Sequence, residues 1–271
     1  MPERRSIAIV PARNEEAAVG RVVDELYAFD PELDVLVIDD GSEDATAKSA
    51  AAAGAAVVSL PFNLGIGGAV QTGFKYALEH GYDTVIRLDG DGQHDPQEIP
   101  QLLGPLARGE ADVVVGSRFA DGNGDYRPPF ARRIGIRWFA RLVSLLTRQK
   151  LTDTTSGFQA VNAHAIRLFA ADYPHDYPEV EAVVMVVRHR LRILEVPVSM
   201  RGRETGASSI TAVRSLYYAI KVTLALLVGI FRRRVLPVLM AQDEHPRERM
   251  LIARRPLKGR FAPKEHPDEE G

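Results

Sequence analysis

Asp89 and Asp91 are the residues whose type and spacing point most directly to chemistry. They follow the apolar run Thr84-Val85-Ile86-Arg87-Leu88, each has a glycine after it, and Gln93-His94-Asp95-Pro96 comes next. Alternate residues of an extended chain point the same way, so the two carboxylates can converge on one point. Converging carboxylates need a cation. Mg²⁺ or Mn²⁺, held by one or two carboxylates together with substrate phosphates, is the usual arrangement in nucleotide chemistry. Gln93 follows at the same spacing and could give the ion a third oxygen. Asp95-Pro96-Gln97-Glu98 reads differently. Asp at the N-cap, Pro in the first turn and Glu at the third position predict a helix start closed by a capping box, so Asp95 is assigned to structure. His94 reads as an exposed loop histidine with no role.

These residues need a frame, and the first 116 residues supply one by alternating strand and helix patterns. Strands are expected at Ser6–Val10, Asp34–Ile38, Ala55–Leu60, Thr84–Leu88 and Asp112–Val115. Helices are expected at Glu15–Phe29, Asp44–Ala53, Gly67–His80 and Pro96–Arg108. That alternation predicts an α/β fold, a mostly parallel Rossmann-like sheet with helices on both faces. Ligands of such sheets bind beyond the carboxyl ends of the strands. The segments Arg13-Asn14-Glu15, Asp39-Asp40-Gly41-Ser42, Asp89-Gly90-Asp91 and Gly116-Ser117-Arg118 should therefore share one rim. Ser42 and Asp44 fit turn and cap chemistry, whereas one of Asp39 and Asp40 could accept from a base N–H or a ribose hydroxyl. Asn63-Leu64-Gly65-Ile66-Gly67-Gly68 lacks the Gly-Lys-Ser/Thr ending of a P-loop, and tight packing is the expected use of its glycines.

After residue 116 the pattern changes. A polar Gly/Pro loop at 121–129 precedes a helix expected over 131–148, with Arg133, Arg137 and Arg141 beside an apolar stripe of Ile134, Trp138, Leu142 and Leu145. It reads either as a helix lying in a membrane interface or as one packed on the sheet with its arginines in water. Further α/β structure is expected over 157–198. An apolar helix follows from Ile210 to Phe231, broken by Arg214 and Lys221 and stopped by Arg232-Arg233-Arg234, which reads as interfacial rather than spanning. Residues 241–271 read as a flexible charged tail.

Composition narrows the class. A chain of 271 residues that is 45% hydrophobic can bury a sizeable core. It has no cysteine, which excludes a disulfide scaffold and a Cys-ligated zinc site. The apolar run Ile7–Val10 is too short for a secretion signal. The net charge of −2 conceals an asymmetry: residues 201–264 carry 14 Lys/Arg against 4 Asp/Glu. Without a nucleic-acid motif or interleaved aromatics, that basic end points to anionic lipid rather than nucleic acid.

Taken in order, Pro11-Ala12-Arg13-Asn14-Glu15-Glu16, Val37-Ile38-Asp39-Asp40-Gly41-Ser42, Leu88-Asp89-Gly90-Asp91-Gly92-Gln93 and Val115-Gly116-Ser117-Arg118-Phe119 form a recognisable set. Asp153-Thr154-Thr155-Ser156-Gly157-Phe158, Glu195-Val196-Pro197-Val198 and Arg203-Glu204-Thr205-Gly206-Ala207-Ser208-Ser209 extend it. Over roughly residues 6–210 the chain resembles the family 2 glycosyltransferases, in particular the polyprenyl-phosphate (dolichyl-phosphate) mannosyl- and glucosyltransferases.

The resemblance implies a GT-A fold, a nucleotide-sugar donor such as UDP-glucose or GDP-mannose, and Mg²⁺ or Mn²⁺ held by Asp89, Asp91 and Gln93. It implies that Pro11, Arg13, Glu15, Asp39, Asp40 and Gly90 line the nucleotide site, and that Arg118 and Arg133 meet the lipid phosphate. Arg201 or Arg203 would sit on a loop closing over the donor, with Arg201 also near the acceptor phosphate. Arg137 departs from the pattern, as does the lack of clear transmembrane helices after the catalytic part. The implied organisation is a catalytic domain over 1–210, with a nucleotide-sugar half to about 118 and an acceptor half after it. A membrane-associating amphipathic helix would follow over 211–240. The protein would then sit peripherally on the cytoplasmic side of a membrane, held there by that helix, by an integral-membrane partner or by a second copy. A phosphate acceptor needs no dedicated base; a hydroxyl acceptor would, and Asp153 and Glu181 are the candidates.

Overall fold

The computed structural model describes residues 5–119, 141, 144–145, 151–153, 155–175 and 178–201. Arg133, Arg137, Arg203, the helix expected over 211–240 and the tail lie outside them. Of the helix expected over 131–148, Arg141, Ser144 and Leu145 are described, and they are helical.

Seven strands form one sheet: β1 (Ser6–Ala12), β2 (Asp34–Asp39), β3 (Ala56–Ser59), β4 (Thr84–Arg87), β5 (Val113–Ser117), β6 (Gln159–Asn162) and β7 (Ile193–Pro197), in the order β3-β2-β1-β4-β6-β5-β7. Alternation along β1 sets up the two layers. Ile7 and Ile9 face one core, packed by the helices α3 (Gly65–Glu79), α5 (Ala163–Ala171) and α6 (Pro178–Arg188). Ala8 and Val10 face the other, packed by α1 (Val19–Phe29), α2 (Thr46–Ala52) and α4 (Ile99–Ala107). Helical spacing does the matching work on the helices: Val19, Val22, Val23 and Leu26 form the buried stripe of α1.

The pairing is parallel except around β6, which runs antiparallel to both neighbours, with Arg87 opposite Gln159 and Val115 opposite Gln159. The carboxyl ends of the parallel strands and the start of β6 therefore meet on the same rim. The expected α/β sheet is present, with this one strand reversed and inserted between β4 and β5. Helix starts shift from expectation. α1 begins at Val19 rather than Glu15, and the residues on either side of Glu15 are tied to the loop after β2. Asn14 N–H donates to Ser42 Oγ and Asn14 Oδ1 accepts from Glu43 N–H, while Glu16 N–H donates to Asp44 and a Glu16 oxygen accepts from Ala45 N–H.

Candidate active site

Four loops reach the rim, and the one after β4 is the most constrained. Gly90 N–H donates to Pro11 O at 3.3 Å, and a side chain at Gly90 would place its Cβ 2.9 Å from that of Ala12. Only glycine lets the turn between the two aspartates lie against the end of β1. Gly92 adopts φ +76°, a left-handed conformation that suits glycine. Asp91 Oδ1 accepts from Gln93 N–H at 3.1 Å, which closes the turn.

Asp89 is held from three sides. Its own N–H donates to His94 Nδ1 at 3.0 Å. Its carboxylate lies 3.5 Å from Arg87 Nη2 and 3.9 Å from His94 Nε2. Burial raises its carboxyl, but the cationic charge around it, Arg87 above all when His94 is neutral, outweighs burial and holds it below the usual carboxylate range, so it is ionised at neutral pH. Gly157, just before β6, leaves the remaining space: a Cβ there would stand 2.6 and 2.7 Å from the two carboxylate oxygens.

His94 corrects the sequence expectation. It is buried rather than exposed, and its ring stacks on Phe158 with centroids 5.0 Å apart and planes 12° apart. Because Nδ1 accepts from a backbone N–H, the neutral ring carries its proton on Nε2. Burial pushes its pKa down, which favours that neutral form. Asp95 caps the helix start by accepting from Gln97 N–H, as expected, but the capping box does not close. The Glu98 carboxylate accepts from Gln101 and from Ser199 N–H instead.

The residues around Asp39 and Asp40 hold backbone in place. Asp39 Oδ1 accepts from Ser42 N–H at 3.1 Å, and Asp40 Oδ1 accepts from Leu64 N–H at 2.7 Å. Both are buried. Asp40 thus fastens the loop after β2 to the glycine-rich segment before α3. Two glycines of that segment serve packing, as expected: a Cβ at Gly67 would meet Pro174 and His175 and one at Gly68 would meet Leu64, whereas Gly65 faces open space with a left-handed φ of +80°. Pro11 is buried, Arg13 is exposed, and Glu15 N–H donates to Thr46 Oγ1.

Arg118 leaves β5 into a bidentate pair with Asp153, Nε to Oδ2 at 2.7 Å and Nη2 to Oδ1 at 2.9 Å. Asp153 is fully buried. Its loop is fastened in turn by Glu195 on β7, whose carboxylate accepts from Thr152 N–H, Thr152 Oγ1 and Asp153 N–H. Burial raises the Glu195 carboxyl even against these hydrogen bonds. Arg201, placed by resemblance near the acceptor phosphate, has its guanidinium between Glu25 and Asp95 at 2.6 and 3.0 Å. Its N–H donates to Gln93 O, and Met200 bridges to His94, so residues 200–201 run along the outer edge of the aspartate turn.

Two carboxylates and an amide oxygen would make a hard, all-oxygen donor set, which would suit Mg²⁺ or Mn²⁺ and not a soft metal. No cluster of three or more His, Asp or Glu side chains placed to hold an ion occurs among the described residues. The protein would thus supply part of the coordination and leave the rest to substrate oxygens, as Mg²⁺-type nucleotide sites do.

The model of glycosyl transferase family 2 matches residues 7–170, a stretch that contains the aspartate turn and the strands around it. The chain belongs to this family. It is 32% identical over 216 residues to an undecaprenyl-phosphate mannosyltransferase of Micrococcus luteus, covering 76% of this chain and 88% of that one. It is 28% identical to a UDP-N-acetylglucosamine–dolichyl-phosphate N-acetylglucosaminyltransferase of Methanococcus voltae, covering 73% of this chain and 86% of that one. Among solved structures, glucosyl-3-phosphoglycerate synthase of Mycobacterium tuberculosis superposes with a TM-score of 0.65 at 24% identity, over 86% of this chain and 82% of that one. The same synthase has been solved with Mn²⁺ and UDP, and that form superposes with a TM-score of 0.63 at 23% identity over 84% of this chain and 79% of that one. This likeness establishes the GT-A fold of the family 2 enzyme. Among the described residues no helix is long and apolar enough to cross a membrane.

The sequence named Asp89, Asp91, Asp40 and Arg118, which the fold brings to one rim. It gave Gly157 and Glu195 only as members of matching motifs, with no role, and it missed Arg87 as a contributor. A charged residue inside an otherwise apolar strand was the available signal for Arg87.

Proposed function

We propose that this glycosyltransferase moves a hexose from a nucleoside-diphosphate sugar to a polyprenyl phosphate, with inversion at the anomeric carbon. The observation that carries the reading is the match to the undecaprenyl-phosphate mannosyltransferase along 88% of that enzyme's length. Asp89, Asp91 and Gln93 would hold Mg²⁺ or Mn²⁺, which when bound offsets charge on the departing diphosphate.

The remaining work falls to the chain's own residues. His94, Gly90 and Gly157 fix where the Asp89 carboxylate stands. Asp40 orders the wall beside the nucleotide site by holding Leu64 N–H. The acceptor is a phosphate monoester with a second pKa of about 6, so it arrives largely ionised and needs seating rather than deprotonation. Arg118 would help seat it. Asp153 cancels much of its charge, so its contribution would be direction rather than net attraction. A hydroxyl acceptor would need a free base; Asp153 is buried and committed to Arg118, which disfavours it for that role. Arg133 and Arg203, the split into halves near residue 118, and a peripheral position on the cytoplasmic face through residues 211–240 belong to the same proposal.

The test is a donor panel of UDP-glucose, GDP-mannose and UDP-galactose with a short polyprenyl phosphate and Mn²⁺ or Mg²⁺, read by mass spectrometry. A glycosyl-phosphopolyprenol from one donor is the expected product, with UDP-glucose the first choice. Transfer to hydroxyl acceptors alone would overturn the reading.

A further inference from the structure

Arg87 is out of place by every local rule. It ends a strand whose other residues are buried, and its side chain is 1% exposed. It lies on the same face of β4 as Val85, among Tyr173 and the apolar side chains of α3, α5 and α6. Taking a guanidinium out of water is strongly unfavourable unless its surroundings repay it. Its Nε has no hydrogen-bond partner, so the site repays it incompletely.

The arrangement of its other nitrogens explains the residue. Nη2 lies 2.7 Å from Glu179 on α6 but 3.5 Å from Asp89. Nη1 donates to Tyr173 Oη at 3.2 Å, and burial pushes that phenol up to about 12, so it remains a neutral hydroxyl. One guanidinium is therefore offered to two carboxylates, and Glu179 has the shorter bond. A cation at Arg87 offsets the repulsion between Asp89 and Asp91. A cation pressed fully against Asp89 would compete with any ion that the same carboxylate must bind.

We propose that Glu179 is a positioning residue that restrains Arg87 from closing onto Asp89, and that the pair thereby sets the affinity of the site for its divalent ion. The proposal rests on Asp89 being a metal ligand. Glu179 acts through Arg87, and Arg87 acts through Asp89; neither touches substrate.

The experiment measures Mn²⁺ binding to the full-length protein by loss of the free-ion electron spin resonance signal, with UDP or GDP added, whichever the wild type binds. Glu179→Gln leaves Arg87 uncompensated and should weaken Mn²⁺ binding by at least about tenfold, the lower bound set by water-like screening of one unit charge acting on a divalent ion across several ångströms. The double variant Arg87→Met/Glu179→Gln removes both charges and should return the affinity to within about threefold of wild type, because no guanidinium is left to compete. Circular dichroism and thermal melting check the fold, and Glu179→Asp, which withdraws the carboxylate but keeps its charge, gives a milder weakening if Glu179→Gln is unstable.

An unchanged affinity in Glu179→Gln overturns the proposal. So does an equal loss in the single and double variants, which would make the effect independent of Arg87. Asp89→Asn separates the two levels. If it abolishes Mn²⁺ binding while Glu179→Gln binds normally, the Glu179 proposal alone falls. If it leaves Mn²⁺ binding intact, the metal assignment falls and takes the proposal with it.

Discussion

Replacing Gly157 with alanine adds one methyl group beside Asp89, the carboxylate proposed to hold the metal. The new Cβ would stand 2.6 Å from Asp89 Oδ2, 2.7 Å from Oδ1 and 3.0 Å from Cγ. Ordinary carbon contacts need about 3.5 Å, so the carboxylate or the loop must retreat by roughly half an ångström or more. The carboxylate has little freedom, since Arg87 and His94 flank it and its backbone N–H is fixed by His94 Nδ1.

Two free energies oppose each other. Gly→Ala reduces the freedom of the unfolded chain, worth about 0.4–1 kcal/mol in favour of folding. Overpacking costs about 1–3 kcal/mol. A net loss of about 1 kcal/mol should lower Tm by a few degrees. Activity should fall much further, because a misplacement of about 1 Å at reacting groups can cost about 10²-fold. Steady-state transfer and thermal melting measure both. The decisive control is Asp89→Ala, which removes the atoms the methyl group strikes. In that background Gly157→Ala should be neutral or stabilising, a coupling of about 1–2 kcal/mol. Turnover within threefold of wild type, together with melting shifts that simply add, would refute the claim that Gly157 makes room for Asp89.

Asp91→Ala should lower transfer about 10²-fold or more while melting within about 2 °C of wild type; near-normal turnover would remove it from the site. Arg118→Ala leaves the buried Asp153 carboxylate unpaired, so it should destabilise the fold by about 3–5 kcal/mol, read as a large drop in Tm. His94→Phe keeps a ring on Phe158 but strands the Asp89 N–H, at a cost of about 1–3 kcal/mol, and His94→Gln should recover part of the loss by offering an oxygen. Burial raises the Asp112 carboxyl, but hydrogen bonds from Arg192 and Asn162 outweigh burial and hold it low. A depressed carboxyl stabilises the fold above its unfolded value of about 4 and loses that contribution as pH falls through the folded value. Asp112→Asn should therefore melt below wild type at pH 7, and the gap should narrow below about pH 4.

The parts of this protein that were legible in advance are those written in short-range patterns. Short apolar runs marked β1, β2 and β4, helical spacing marked the buried face of α1, and the Asp-Pro start marked the cap at Asp95. Strand ends then placed Asp40, Asp89 and Arg118 on one rim, since parallel strands share an exit side. The illegible parts depend on partners far along the chain. His94 is buried because Phe158 arrives to stack on it, and Arg87 is tolerated because Glu179 and Tyr173 surround it. Gly157 looks like any loop glycine until Asp89 is seen beneath it. The late start of α1 accompanies hydrogen bonds from Asn14 and Glu16 to another loop, contacts that helix propensity does not register.

The reversal of β6 has a consequence for how such an enzyme can diversify. The chain departs the sheet after Ser117 and rejoins it at Gln159, at the same edge and beside the aspartate turn. Both ends of that connection are pinned, Arg118 to Asp153 on one side and Gly157 and Phe158 to Asp89 and His94 on the other, so the strand register is set outside the stretch between the pins. Changes confined between those pins would leave the aspartate turn where it stands, whereas a change at Gly157 or Asp153 would not.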